Sequence, residues 1–91
     1  MIERVPKPVR EIMALVRESG HVPYLVGGCV RDLLRGVEPE DYDMTSDALP
    51  EKVMALFGAD AHPTGLLHGT VTLVRGGWVV EHTTERCDGV Y

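Results

Sequence analysis

Residues 24–46 read YLVGGCVRDLLRGVEPEDYDMTS. Three apolar residues, Tyr24-Leu25-Val26, run into Gly27-Gly28, after which Val30, Leu33, Leu34 and Val37 recur at i, i+3, i+4 and i+7. This switch of period predicts a short buried strand, a tight Gly-Gly turn and a helix that Pro39 ends. Asp41 to Thr45 then reads as a second short strand beside the first. The order strand, turn, helix, strand is the start of an α/β sheet, and it carries two aspartates one residue apart.

The flanks extend this pattern. Before it, Val9, Ile12, Leu15 and Val16 fall on one helical face with Arg10, Glu11, Arg17 and Glu18 outward, and Gly20 supplies a stop, which predicts an amphipathic helix of about three turns. After it, Pro50 to Phe57 reads as a helix: proline suits the first turn, Glu51 favours the positive end, and Val53, Met54 and Phe57 form an apolar face before Gly58. Ala59 to Pro63 predicts a short edge strand, and Thr64-Gly65-Leu66-Leu67 a loop. Gly69 to Val74 and Trp78 to Thr84, joined by Arg75-Gly76-Gly77, read as a hairpin rich in Val and Thr. The expected fold is therefore α/β (α+β), a small mixed sheet of about five strands with helices mainly on one face.

Composition limits the function classes. Ninety-one residues make one domain with a small core, and 44% hydrophobic with 25% charged residues excludes a disordered or fibrous chain. The net charge of −5, with nine scattered Lys and Arg, gives little grip on a phosphate backbone by this chain alone. Cys29 and Cys87 lack CxxC spacing and suit reduced intracellular thiols. The charged N-terminal stretch with two prolines reads as neither signal peptide nor membrane span, so the cytoplasm is the expected compartment.

Two features carry chemistry. Gly27-Gly28 lacks side chains that would hold a ligand away from the backbone, the next helix begins with unpaired N–H groups, and Arg31 can add a charge-assisted contact; together they suit a triphosphate. An ordinary strand-to-helix turn with a surface arginine is the other reading. In a strand, Asp41 and Asp43 point to one face with Cα atoms roughly 6.5 to 7 Å apart, so their carboxylates can converge on hard cations. A solvated acidic loop is the alternative, because Glu38, Glu40 and Asp47 surround the pair. Glu81 is a candidate third carboxylate if its strand lies beside the aspartates, and otherwise a charged residue on the open face. Asp32 reads as a local partner that secures the turn. His21, His62, His82 and Cys87 show no zinc-site spacing.

Taken together, GGCVRDLLRG, DYDMTSDALPEKV, GLLHGTVTLV and VVEHTTER form an ordered series over about residues 9–91. This series resembles the head domain of class II tRNA nucleotidyltransferases (CCA-adding enzymes) and bacterial poly(A) polymerases, of the nucleotidyltransferase (polymerase β-like) superfamily. The family's GGxVRD matches Gly27, Gly28, Val30, Arg31 and Asp32; its DxD matches Asp41 and Asp43; its HGT element matches His68, Gly69 and Thr70. Glu81, His82, Thr83, Thr84, Glu85 and Arg86 stand where E-x-T-T-F-R is usual. Glu85 replaces an aromatic residue, which implies weaker packing or an exposed edge, and Ser46 replaces a threonine while keeping a hydroxyl that can still hydrogen-bond or help cap the next helix.

The resemblance implies transfer of CMP and AMP from CTP and ATP to the 3′ end of tRNA, with release of pyrophosphate. It assigns Asp41 and Asp43 to two Mg²⁺ ions, Glu81 to the catalytic carboxylates, and Gly27, Gly28, Arg31 and His68 to the nucleotide. It also implies that residues 1–91 are a single catalytic head, either truncated or an unusually minimal version, without the neck, body and tail regions that select the base through an EDxxR motif and hold tRNA. Such a head would act weakly alone. Two other readings are a non-catalytic nucleotide- and metal-binding module acting with a partner chain, and a poly(A) polymerase head. An open sheet edge gives a route to self-association.

Overall fold

The computed structural model describes residues 2–85. Arg86 and Cys87, on which two of the sequence readings fall, lie outside the described residues. Three helices, α1 (Lys7–Glu18), α2 (Gly28–Leu34) and α3 (Pro50–Phe57), accompany five strands: β1 (Tyr24–Val26), β2 (Tyr42–Ser46), β3 (Ala61–Gly65), β4 (Thr70–Arg75) and β5 (Trp78–Thr84). The strands form one mixed sheet in the order β1-β2-β5-β4-β3. Only β2 and β5 pair in parallel; the other neighbours are antiparallel.

Strand alternation sorts the side chains into two layers. Tyr42, Met44, Val71, Leu73 and Val80 point to the helical side and are buried with Val9, Ile12, Met13 and Val16 of α1, Cys29 and Leu33 of α2, and Val53 and Phe57 of α3. Helix α1 rests on β4 and β5, α3 on β3 and β4, and α2 on β1 and β2. The alternate positions, among them Asp43, Thr45, Thr70, Thr72, Glu81 and Thr83, lie on the uncovered face. One sheet face therefore builds the core, and the other is free for chemistry.

Local boundaries depart from the sequence reading in several places. Strand β3, expected over Ala59 to Pro63, runs Ala61–Gly65, because the chain leaves α3 through a 3₁₀ turn at Gly58–Asp60, and Leu66–His68 form a second such turn in place of an irregular loop. Strand β1 is an edge strand rather than a buried one, with Tyr24 55% and Val26 39% exposed, because it pairs only with β2 and half of it faces the open side. Helix α2 stops before Pro39: the N–H of Val37 donates to the Asp32 carbonyl at 2.8 Å and that of Gly36 to the Leu33 carbonyl at 3.1 Å, while Gly36 takes φ +75°. That is a Schellman ending, which glycine permits without steric cost, and it leaves Leu34 and Val37 exposed while Cys29 and Leu33 form the buried face. Asp41 lies just before β2, so the aspartates do not share a strand.

Ser46 and His82 are the polar side chains sealed in the core. Ser46 Oγ and His82 Nε2 are 2.6 Å apart, and the Ala48 N–H donates to Ser46 Oγ at 3.1 Å. Ser46 thus shapes the turn before α3 and does not cap the helix, whose N-cap is Leu49. Glu85 continues the β2–β5 pairing, its N–H donating to the Ser46 carbonyl at 2.8 Å.

Burial pushes the His82 imidazole below its ordinary value of 6.5; a backbone hydrogen bond opposes this and His21 adds to it. The folded chain therefore binds this proton less readily than the unfolded chain. Stability from this group is complete above the unfolded value and is lost as pH falls from about 6.5 through the lower folded value, by at most about 1.4 kcal/mol per unit. Urea unfolding from about pH 7 to about pH 5 is expected to show this loss in the parent and a flatter profile in His82→Gln. Equal slopes in the two proteins would contradict it.

Candidate active site

Strand register sets the carboxylates. Asp43 on β2 stands opposite Glu81 on β5 across the parallel pair, and opposite Val26 on β1 on its other side. Glu81 in turn faces Thr72 on β4, and Thr72 faces His62 on β3. A single row on the open face thus reads Val26, Asp43, Glu81, Thr72, His62. Asp41 enters from the bend before β2.

The Gly27-Gly28 turn closes one side of this row. Gly27 has φ +78° and ψ −150°, a region closed to residues with a side chain, and a Cβ there would sit 3.2 Å from Asp43 Oδ2. A Cβ on Gly28 would sit 3.4 Å from Arg31 Nη2. The turn is thereby flanked by a carboxylate on one side and a guanidinium on the other. Arg31 keeps most of its surface in solvent and makes a loose ion pair with its neighbour Asp32, Nε to Oδ1 at 3.6 Å.

Charge accumulates at Asp43. Partial burial raises its carboxyl above the ordinary value, and the carboxylates of Asp41 and Glu81 push it in the same direction. A cation at this point would relieve all three contributions. Among the described residues no group of three or more His, Cys, Asp or Glu side chains is gathered tightly enough to hold a metal by itself. Hard carboxylate oxygens beside an open space fit magnesium, which keeps waters and substrate phosphates in its shell and seldom uses an all-protein cage.

His68 is not brought to this turn. It ends a 3₁₀ turn, Leu66–His68, ahead of Gly69, whose carbonyl accepts the Thr84 N–H at 2.9 Å. Thr84 lies three residues along β5 from Glu81, about 10 Å, in the direction away from Gly27. An open groove of about 570 Å³ does adjoin the glycines, lined by Leu25, Val26, Gly27, Val30, Arg31, Leu34 and Arg35.

The sequence reading missed the hydroxyls of the open face. Thr72 Oγ1 donates to Glu81 Oε1 at 3.0 Å, Thr64 and Thr72 Oγ1 lie 2.5 Å apart, Thr70 and Thr83 Oγ1 lie 2.9 Å apart, and Thr45 Oγ1 donates to the Thr83 carbonyl at 2.7 Å. The alternation in TVTLV and EHTT was the available signal, since it puts these threonines on the same face as Glu81 once the strands are aligned.

Sheet, helices and acidic row together define an α+β head domain with one open, acidic sheet face. A solved structure of the Bacillus stearothermophilus CCA-adding enzyme in complex with CTP superposes with a TM-score of 0.80 at 41% identity, over 91% of this chain and 21% of that one. A tRNA nucleotidyltransferase complexed with a primer tRNA and an incoming ATP analog gives a TM-score of 0.66 at 30% identity, over 88% and 24%. The chain belongs to the family of the Poly A polymerase head domain, which matches residues 23–91. Among its relatives, the CCA-adding enzyme of Bacillus mycoides (strain KBAB4) is 42% identical over 85 residues, which are 93% of this chain. The chain spans about a fifth of the length of that relative, 21%.

Proposed function

We propose that this chain is the catalytic head of a CCA-adding nucleotidyltransferase, which passes CMP and AMP from CTP and ATP to the 3′ end of tRNA and releases pyrophosphate. The observation that carries the reading is the Gly27-Gly28 turn set between the Asp43 carboxylate and the Arg31 guanidinium. A metal-bound triphosphate has the matching polarity, cation toward Asp43 and phosphate oxygens toward Arg31.

Asp41 and Asp43 would hold Mg²⁺, two ions in this proposal. Bound there, the metal supplies a lowered pKa for the primer hydroxyl and neutralises charge on the leaving group. The chain's own residues do the rest. Gly27 and Gly28 let the phosphates approach the backbone, Arg31 fixes a phosphate oxygen, and Glu81 adds a third negative charge next to Asp43. The primer's 3′-oxygen bonds to the α-phosphorus as the bond to the pyrophosphate oxygen breaks, so no covalent enzyme intermediate is needed. The groove beside α2 offers apolar walls to the remainder of the nucleotide. We assign His68 a contact farther along the open face, on the strength of the HGT match alone.

Titration calorimetry with Mg-CTP and Mg-ATP tests the proposal. Both are expected to bind this chain with affinities within about threefold, under 1 kcal/mol, because no EDxxR motif is present to read the base. Sharp discrimination between the two by these 91 residues would contradict the reading.

Two finer proposals accompany this. We place the chain in the cytoplasm on the strength of its likeness to CCA-adding enzymes; separately, no helix among the described residues is long and apolar enough to cross a membrane. We also propose self-association through β1, since β3, the other edge, is blunted by Pro63 and a register shift between His62 and Gly65. Light scattering after size exclusion should show mass rising with concentration; a constant monomer mass would refute it.

A further inference from the structure

We infer that Thr72 is a positioning residue for the acidic centre, holding the Glu81 carboxylate in place beside Asp43 through a hydroxyl relay that starts at Thr64. This inference rests on the metal-binding reading of Asp43 and Glu81 given above.

The geometry dictates the direction of the relay. An ionised carboxylate only accepts, so the single Thr72 hydroxyl proton is committed to Glu81 Oε1 at 3.0 Å. Thr72 Oγ1 is then left as an acceptor, and Thr64, 2.5 Å away, must be the donor to it. Each donation polarises the next, which strengthens the final bond to the carboxylate. Thr72 is anchored on the central strand β4, while Thr64 comes from the irregular stretch of the edge strand β3 between His62 and Gly65, where the register shift brings its hydroxyl to Thr72.

The consequence lies in side-chain freedom. Glu81 is exposed, and an exposed glutamate has three rotatable bonds with little to choose among their settings. Its register partner Asp43 has a shorter side chain, packed against the Gly27 turn. Of the two facing carboxylates, Glu81 is therefore the one that needs an external restraint. Thr72 supplies it at Oε1 and leaves Oε2 available to a cation. Outer partners that orient a metal-binding carboxylate typically change metal affinity by about 10- to 100-fold when removed.

The test uses Mn²⁺ in place of Mg²⁺, with free ion followed by electron paramagnetic resonance in the presence of CTP. Thr72→Val keeps the β-branched shape that suits a central strand and removes only the donor. It is expected to weaken Mn²⁺ binding about 10-fold at an unchanged melting temperature, with Thr72→Ser restoring affinity to within about twofold. Thr64→Val, one step removed, should weaken it about two- to threefold. If Thr72→Val binds Mn²⁺ like the parent while Asp43→Ala does not, the positioning role is wrong and the metal site stands. If Asp43→Ala also binds like the parent, the metal site itself is wrong, and the role of Thr72 falls with it. A loss in Thr72→Val that serine does not restore would likewise refute a hydroxyl-based role.

Discussion

Asp43→Ala is expected to reduce pyrophosphate release from CTP and ATP, with tRNA lacking its 3′ end as primer, by about 10³-fold or more, some 4 kcal/mol of lost transition-state stabilisation. Asp43 has this weight because it sits where three features of the site meet. It faces Glu81 across the parallel β2–β5 pair, its Oδ2 borders the space a Cβ on Gly27 would take, and Asp41 precedes it in the bend. A measurable rate within tenfold of the parent would overturn both the site and the proposed reaction, and would favour a module that binds nucleotide without transferring it.

Stability should move the other way. The Asp43 carboxyl is raised first by burial and then by the charges of Asp41 and Glu81. The folded chain thus holds that proton more firmly than the unfolded chain. The associated stability is complete below the unfolded carboxylate value and lost as pH rises through the folded one. At neutral pH the ionised group therefore works slightly against folding, an effect that solvent screening keeps small. Asp43→Asn is expected to melt slightly higher than the parent without metal. Adding Mg²⁺ should raise the parent's melting temperature and leave the variant's unchanged, because only a ligand of the native state stabilises it. Such a pair of results would mark a site that trades stability for cation binding.

Gly27→Ala is the second large effect. The backbone there, φ +78° and ψ −150°, lies in a region that a Cβ disfavours by about 1 to 3 kcal/mol. The new methyl would also press on Asp43 Oδ2 from 3.2 Å, so the carboxylate has to move. We expect both a lower urea midpoint and a fall of about 10- to 100-fold in metal-nucleotide affinity. Gly20→Ala separates the two contributions. Gly20 also has positive φ, +97°, but a Cβ there meets nothing within 4 Å, so it should cost stability and leave affinity intact. Equal losses of affinity in the two variants would mean that strain alone, and not the contact with Asp43, is responsible.

Much of this molecule could be read along the chain. Helix α3 runs from Pro50 to Phe57 as its proline, acidic first turn and terminal glycine predict, and the two-residue turn of the β4–β5 hairpin is built on Gly76 and Gly77, both at positive φ. These are local signals, in which the residues that determine an element also form it. Boundaries were missed where two local signals compete: Gly36 ended α2 three residues before Pro39 could, because a Schellman turn satisfies the last carbonyls as soon as a glycine is available.

By itself the sequence determined the order of elements, the alternation that segregates apolar from polar strand positions, and the candidate residues Gly27, Gly28, Arg31, Asp41, Asp43 and Glu81. Tertiary structure alone decided which of these meet. Nothing within a window of ten residues states that β5 lies parallel to β2, yet that pairing joins residues 38 positions apart and puts Glu81 beside Asp43. The same sheet order made β1 an edge, sealed Ser46 against His82, and carried His68 away from the glycine turn. Strand pairing depends on hydrogen bonds and burial between distant segments, and a slip of β5 by one residue would have turned Glu81 into the core, as a slip of β2 would Asp43. The cost of burying those charges holds the register that places them on the open face.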